Sequence, residues 1–125
     1  SYDFQCAIVG VRWKKFNFNN LKIFDIGNYI INLFFNILFN SKANDILCCL
    51  KIIPKSLIDD FKLTSRGFSI ETEIMSKLVL NKIIFKEVII NYNRRTKQQG
   101  KKIKYSDGLS ILLTMLKLRF FYNSK

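Results

Sequence analysis

The densest group of chemistry-bearing side chains lies between Asn93 and Lys104. There Arg94, Arg95, Lys97, Lys101, Lys102 and Lys104 surround a single glycine, Gly100. Guanidinium groups bind phosphate oxygens in a bidentate way, and ammonium groups add point charge. A glycine lets the backbone come close to an anion. Arg95, Gly100, Lys101 and Lys102 are therefore candidate phosphate or pyrophosphate ligands; the plainer reading is a solvated, charged loop. Glu71 and Glu73 are a second candidate, two residues apart at the start of an expected helix. Either carboxylate can act as general base on an acceptor hydroxyl or phosphate, or help hold a metal. The plainer reading is that acids suit the positive end of a helix. Asp45 and Arg12 complete the set. Each stands in a loop next to an expected strand, where α/β folds place their sites, although a lone Asp in a turn is more often structural.

Other chemistry is thinly represented. The chain has no histidine, which removes the commonest metal ligand, the commonest general base and any Ser-His or Cys-His pair. Cys6, Cys48 and Cys49 are odd in number, and adjacent cysteines rarely pair, so no disulfide framework and no metal-ligand set emerge. A reducing, cytoplasmic setting is the simplest fit.

These residues must be positioned by an α/β framework. The run Cys6-Ala7-Ile8-Val9, inside Phe4 to Trp13, predicts a strand buried on both faces. Lys14 to Asn20 reads as a loop. From Phe24 to Phe39 the pattern predicts a helix, apolar except for Asn28, Asn32, Asn36 and Asn40 on one ridge. Such a helix is either a core helix with its Asn ridge facing solvent or one lying in a membrane interface. It is shorter than the roughly 20 residues that span a bilayer. Ile46 to Ile53 predicts a second strand, and Pro54 opens a short helix. Asp59 to Gly67 is a polar break before a helix from Ile70 to Asn81. Ile83 to Tyr92 predicts a strand centred on Val88, Ile89 and Ile90, and Asn93 to Lys104 a loop. A last helix is expected from Ser106 to Phe121, capped by Ser106 or Asp107, with Leu109, Leu112, Leu113, Leu116 and Phe120 as its buried face. The expected order is β-α-β-α-α-β-loop-α.

With 125 residues, 49% of them apolar, the chain is long enough to bury a core. Its 21 Lys and Arg against 9 Asp and Glu give +12, which favours an anionic partner: nucleic acid, lipid headgroup or phosphorylated substrate. An AT-rich coding sequence, which enriches Lys, Asn, Ile and Phe, is the competing explanation. The opening Ser1-Tyr2-Asp3 lacks the basic stretch of a signal peptide. Since the first residues already read as a strand, a chain truncated at its start is expected.

The order of these features resembles the C-terminal region of family 2 glycosyltransferases of the dolichyl-phosphate mannose synthase-like and bacterial polyprenyl-phosphate types. The resemblance is carried by Gly67-Phe68-Ser69-Ile70-Glu71-Thr72-Glu73-Ile74, Lys77-Leu78, Glu87 to Tyr92, Arg95-Thr96, Gly100-Lys101-Lys102-Ile103, Asp107-Gly108 and Lys117 to Phe120. Upstream, Gly10-Val11-Arg12 is similar to the family's Gly-Ser-Arg, and Gly27-Asn28 with Asn32 to the start of its helix. Asn44-Asp45 with Cys49 and Lys51 is similar to its Thr-Asp…Cys-Tyr-Lys. Val11, Leu47 and Leu50 depart from that pattern.

The resemblance implies an α/β fold, the C-terminal, acceptor-side portion of a Rossmann-like nucleotide-sugar glycosyltransferase domain (type A), over residues 1–125. The N-terminal nucleotide-binding half is missing. It implies sugar transfer from a nucleotide sugar to a polyprenyl phosphate or other membrane-associated acceptor, in a fragment expected to be inactive alone. The complete enzyme is implied to use a divalent metal, Mg or Mn, held by an Asp-x-Asp motif that these residues lack. Carried over by position, Arg12 lies near the donor phosphates, Asp45 near the acceptor or sugar, and Glu71 or Glu73 at the catalytic carboxylate. Arg95, Lys101 and Lys102 then meet the lipid phosphate or leaving pyrophosphate. The two long helices flank a membrane surface, and the expected location is peripheral, on the cytoplasmic face. The alternatives are a catalytically dead remnant or lipid- and phosphate-binding partner subunit, and a basic nucleic-acid-binding module. No nucleic-acid motif supports the last, so no nucleic-acid partner is expected. A half-domain should also leave one face or edge of its sheet uncovered.

Overall fold

The computed structural model of the chain describes residues 6–12, 23–91 and 105–122. The segments expected as loops, Lys14 to Asn20 and Asn93 to Lys104, lie outside the described residues. With the second go Arg95, Gly100, Lys101 and Lys102. The described residues form a mixed α/β fold of three strands and four helices in the expected order. These are β1 (Cys6–Val11), α1 (Ile23–Phe39), β2 (Lys51–Ile52), α2 (Lys55–Phe61), α3 (Ser69–Leu80), β3 (Ile84–Ile89) and α4 (Tyr105–Phe121).

The sheet has the order β2-β1-β3. β1 runs antiparallel to β2 and parallel to β3, with Cys6 opposite Ile84 and Val11 opposite Ile89. The β1-to-β3 connection carries α1, β2, α2 and α3. Helices are ended by local backbone devices. At α1, Asn40 takes a left-handed φ of 52° and Ser41 N–H donates to Asn36 O at 3.0 Å. At α3, Lys82 has φ 57° and Ile83 N–H donates to Leu78 O at 2.9 Å. Both are 6→1 closures around a left-handed residue, and the second swings the chain directly into β3.

One face of the sheet carries the core. Ala7 and Val9 of β1 pack with Phe35 and Phe39 of α1, Met75 and Leu78 of α3, and Ile111 and Met115 of α4. On the other face Cys6, Ile8, Ile52, Ile84, Lys86 and Val88 are exposed. The expectation that β1 is buried on both faces is therefore corrected: its side chains alternate between core and solvent. The expected buried centre of β3 is corrected as well: Val88, on the solvent face, and Ile89, on the opposite face at the strand's end, are both about half exposed, at 51% and 55%. β1–β3 is thus a parallel pair with a bare apolar face, whereas parallel strands are ordinarily covered on both sides.

Three further expectations change. The second strand shrinks from Ile46–Ile53 to Lys51–Ile52, because residues 46–50 form turns that fold over β1. Gly10 permits this, since a Cβ there would sit 3.1 Å from both Leu50 O and Ile90 Cγ2. The polar break begins at Lys62, because Asp59 and Asp60 belong to α2. In α4, Ser106 and Asp107 lie inside the first turn rather than at the cap. Its buried face is Ile111 and Met115, while Leu109, Leu113, Leu116 and Phe120 are exposed.

Candidate functional site

Arg12 and Asp45, 33 residues apart, are brought into direct contact. The Arg12 guanidinium donates Nε to Asp45 Oδ2 at 2.7 Å and Nη2 to Oδ1 at 2.8 Å, and its backbone N–H donates to Oδ2 at 3.0 Å. Asp45 is 2% exposed. This fork-to-fork pair combines charge with a fixed plane. It fastens the loop after α1 to the carboxyl end of β1, the end at which open α/β sheets bind ligands.

The same loop is held from two other sides. Asn32 and Asn36, one turn apart on α1, both donate Nδ2 to Ala43 O, at 2.7 and 2.8 Å. Their Oδ1 atoms accept from Ile46 N–H at 2.9 Å and Ala43 N–H at 3.0 Å. From β3, Glu87 accepts the Asn44 backbone N–H at 2.7 Å and its Nδ2 at 2.5 Å. Asn32 and Asn36 of the ridge thus face this loop rather than solvent, which corrects the solvent-facing reading for those two, while Asn40 is exposed beyond the end of α1. The amides of Asn32 and Asn36 answer backbone groups that the turns leave without partners.

Glu71 and Glu73 share a helix but have different surroundings. Glu71 accepts from Lys51 Nζ at 2.5 Å, and Lys51 also donates to the carbonyls of Ile46 and Cys48. The Lys51 side chain is 3% exposed and that of Glu71 15%. Among the described residues no hydrogen bond reaches the other Glu71 oxygen, Oε1. Glu73 points the opposite way and is buried. It accepts from Thr64 N–H, from Ser65 N–H at 2.7 Å and from Lys77 Nζ at 2.6 Å. Lys77 also donates to Phe61 O at 2.7 Å and lies 5.2 Å from the Tyr122 ring centroid. Burial opposes ionisation of Glu73, but the hydrogen bonds from Lys77, Ser65 and Thr64 outweigh it and hold its pKa below the ordinary glutamate value.

Cys49 lies in the loop between Asp45 and Lys51, which is tied back on itself by Lys51 Nζ donating to Ile46 O at 3.3 Å. Its thiol is raised in pKa, first by desolvation and then by the Glu71 carboxylate, with Lys51 and Arg12 acting in the opposite direction. It is exposed, whereas Cys48 beside it is buried. A thiol held protonated is a poor nucleophile, so Cys49 borders the site without supplying its chemistry. β3 ends at the same edge, where Ile90 N–H donates to Val11 O at 3.0 Å. The basic segment follows in sequence after Asn91.

Sequence reasoning named Arg12, Asp45, Glu71 and Glu73. It missed Lys51 as the partner of Glu71, and Asn32, Asn36 and Glu87 as the clamps on the Asp45 loop. The four-residue Asn spacing was the available signal for two of them. Among the described residues no three Cys, Asp or Glu side chains converge to hold a metal ion. Asp45, Glu71 and Glu73 are all paired with cations; of the three, Glu71 alone is held through a single oxygen. No helix among the described residues is long and apolar enough to cross a membrane. No protein-family model, curated protein or solved structure matches the chain.

Proposed function

We propose that this chain is the acceptor-side part of a Rossmann-like family 2 glycosyltransferase, transferring a sugar from a nucleotide sugar to a polyprenyl phosphate. The observation that carries this reading is a half-open carboxylate at the carboxyl end of a parallel strand pair. Glu71 is held through one oxygen among the described residues, by buried Lys51, which also donates to the carbonyl of Ile46 next to Asp45. Arg95, Gly100, Lys101 and Lys102 follow β3 in sequence. The bare sheet face also fits a chain that packs against a further layer.

In this reading Glu71 takes or holds the acceptor proton while an acceptor phosphate oxygen displaces the nucleoside diphosphate in line. Arg12 and the basic segment neutralise charge on the phosphates. Asp45 fixes the plane of Arg12, and Glu73 fixes the turn ahead of α3. The Mg or Mn expected of the complete enzyme is assigned in this reading to an Asp-x-Asp motif on the nucleotide-binding half.

The test is binding of farnesyl phosphate and of farnesol, followed by calorimetry and 31P NMR. The phosphate should bind and the alcohol should not, with salt weakening the phosphate complex. In a chain joined to its nucleotide-binding half, Glu71→Gln should keep acceptor binding and lose transfer. Tighter binding of a mixed-sequence oligonucleotide than of farnesyl phosphate would sink the reading in favour of a nucleic-acid module.

A further inference from the structure

One buried ammonium touches both halves of the candidate site. Lys51 Nζ has three N–H donors and meets three acceptors: Glu71 Oε2 at 2.5 Å, Ile46 O at 3.3 Å and Cys48 O. The root of this side chain is fixed, because Lys51 pairs with Val9 in the β1–β2 ladder. β1 therefore anchors Lys51 alongside it and carries Arg12 just past its end.

The two halves join at Ile46. This buried residue follows Asp45 directly, and both of its backbone polar groups are taken. Its N–H donates to Asn32 Oδ1 at 2.9 Å, and its carbonyl accepts from Lys51. Asp45 in turn accepts three hydrogen bonds from Arg12. A continuous path thus runs from Arg12 through Asp45, Ile46 and Lys51 to Glu71. Such a path carries coupling only where its members move together. Here the ladder begins at Lys51, so no strand partner holds the carbonyls of Ile46 and Cys48. The ammonium answers both, as buried carbonyls require. Without it the turn that aims Asp45 loses two holds at once.

We propose that Lys51 is the positioning residue of the whole site: it holds Glu71 directly and Arg12 at one remove, through the turn that carries Asp45. The two ion pairs then act as one unit. The use of that unit in sugar transfer rests on the function proposed above; the coupling itself does not.

Cys48 reports on the turn. Its thiol is buried while its carbonyl is held by Lys51, so N-ethylmaleimide reaches it only when the turn opens. The labelling rate is measured in native buffer on the 125-residue chain carrying Cys6→Ser and Cys49→Ser. Lys51→Met together with Glu71→Met removes the cation without stranding the carboxylate. Labelling should then rise about tenfold or more, with little dependence on low urea, as a local opening requires. Asp45→Asn alone should raise it too. Combining Asp45→Asn with the Lys51, Glu71 double variant should raise it by less than the product of the separate changes. The Arg12 Nε–H, seen by NMR, should exchange faster with water in that double variant, although neither substitution touches Asp45. Lys55→Met, which breaks the exposed pair with Asp59, should leave the labelling rate unchanged. An unchanged rate in the Lys51, Glu71 double variant overturns the proposal, as does a rise that only follows global unfolding in urea. Changes that multiply show two independent pairs and overturn it equally. Farnesyl phosphate enters none of these measurements, so its failure to bind would remove the transferase reading and leave the coupling standing.

Discussion

Two glutamates of α3 pair with lysines in different ways, and they show how one helix serves both a core and a candidate site. Glu73 and Lys77 are an i, i+4 pair facing inward, with every charged atom answered by Phe61 O, Thr64 N–H or Ser65 N–H. Glu71 faces the sheet end and meets Lys51 from β2, 20 residues away. The inner pair closes a turn between two helices. The outer pair leaves one carboxylate oxygen open beside a strand terminus. Burial and saturation make the first a fastener, and partial exposure makes the second available for chemistry. Two positions along a helix rotate a side chain by about 200°, which is enough to separate the roles.

The sharpest way to break the comparison is Lys77→Met, which strands the Glu73 carboxylate in the interior. The expected loss is about 3–5 kcal/mol in chemical denaturation, enough to unfold much of the chain. Asp45→Asn comes next, at about 2–3 kcal/mol, because it removes a charge-assisted fork from buried partners. Glu71→Gln should cost only about 1 kcal/mol, since Lys51 keeps its two carbonyl acceptors; under the proposed function it should also end transfer in a chain joined to its nucleotide-binding half. If Glu71→Gln and Lys77→Met destabilise equally, the division between fastener and site fails.

Acidification separates the pairs in another way. Glu73 has a depressed folded pKa, so the unfolded chain takes up its proton first as pH falls. Its stabilisation is complete above the unfolded value of about 4.3 and is lost as pH falls through the lower folded value. Urea midpoints measured across that window should drop with pH, and Glu73→Gln should flatten the drop. The smallest effect belongs to Leu33→Ser on the exposed stripe of α1, within about 0.5 kcal/mol by thermal melting.

Much of this was legible in the chain. Every described element was anticipated in type and order, because Val- and Ile-rich runs, Pro54 and the four-residue Asn spacing are local signals. Glu71, Asp45 and Arg12 were singled out because each sits next to a strand or helix end. Which way a face points was not legible. α1 and α4 are apolar nearly all round, so periodicity alone cannot choose a buried stripe. The Asn residues of α1 looked solvated because asparagine usually is, yet two of them serve backbone groups in turns whose position no local pattern reveals.

Sequence by itself determined the α/β element order, the strong positive charge, the lack of histidine chemistry and the carboxylates eligible for a site. Tertiary structure alone decided that Arg12 would be pinned by Asp45, that Lys51 would steady Glu71, and that Glu73 would be spent on a turn. The physical reason is that a carboxylate's role depends on how many donors reach it and how much water remains. Apart from Lys77, one turn along the same helix from Glu73, those donors come from residues 8 to 33 positions away, and only the folded chain brings them within reach.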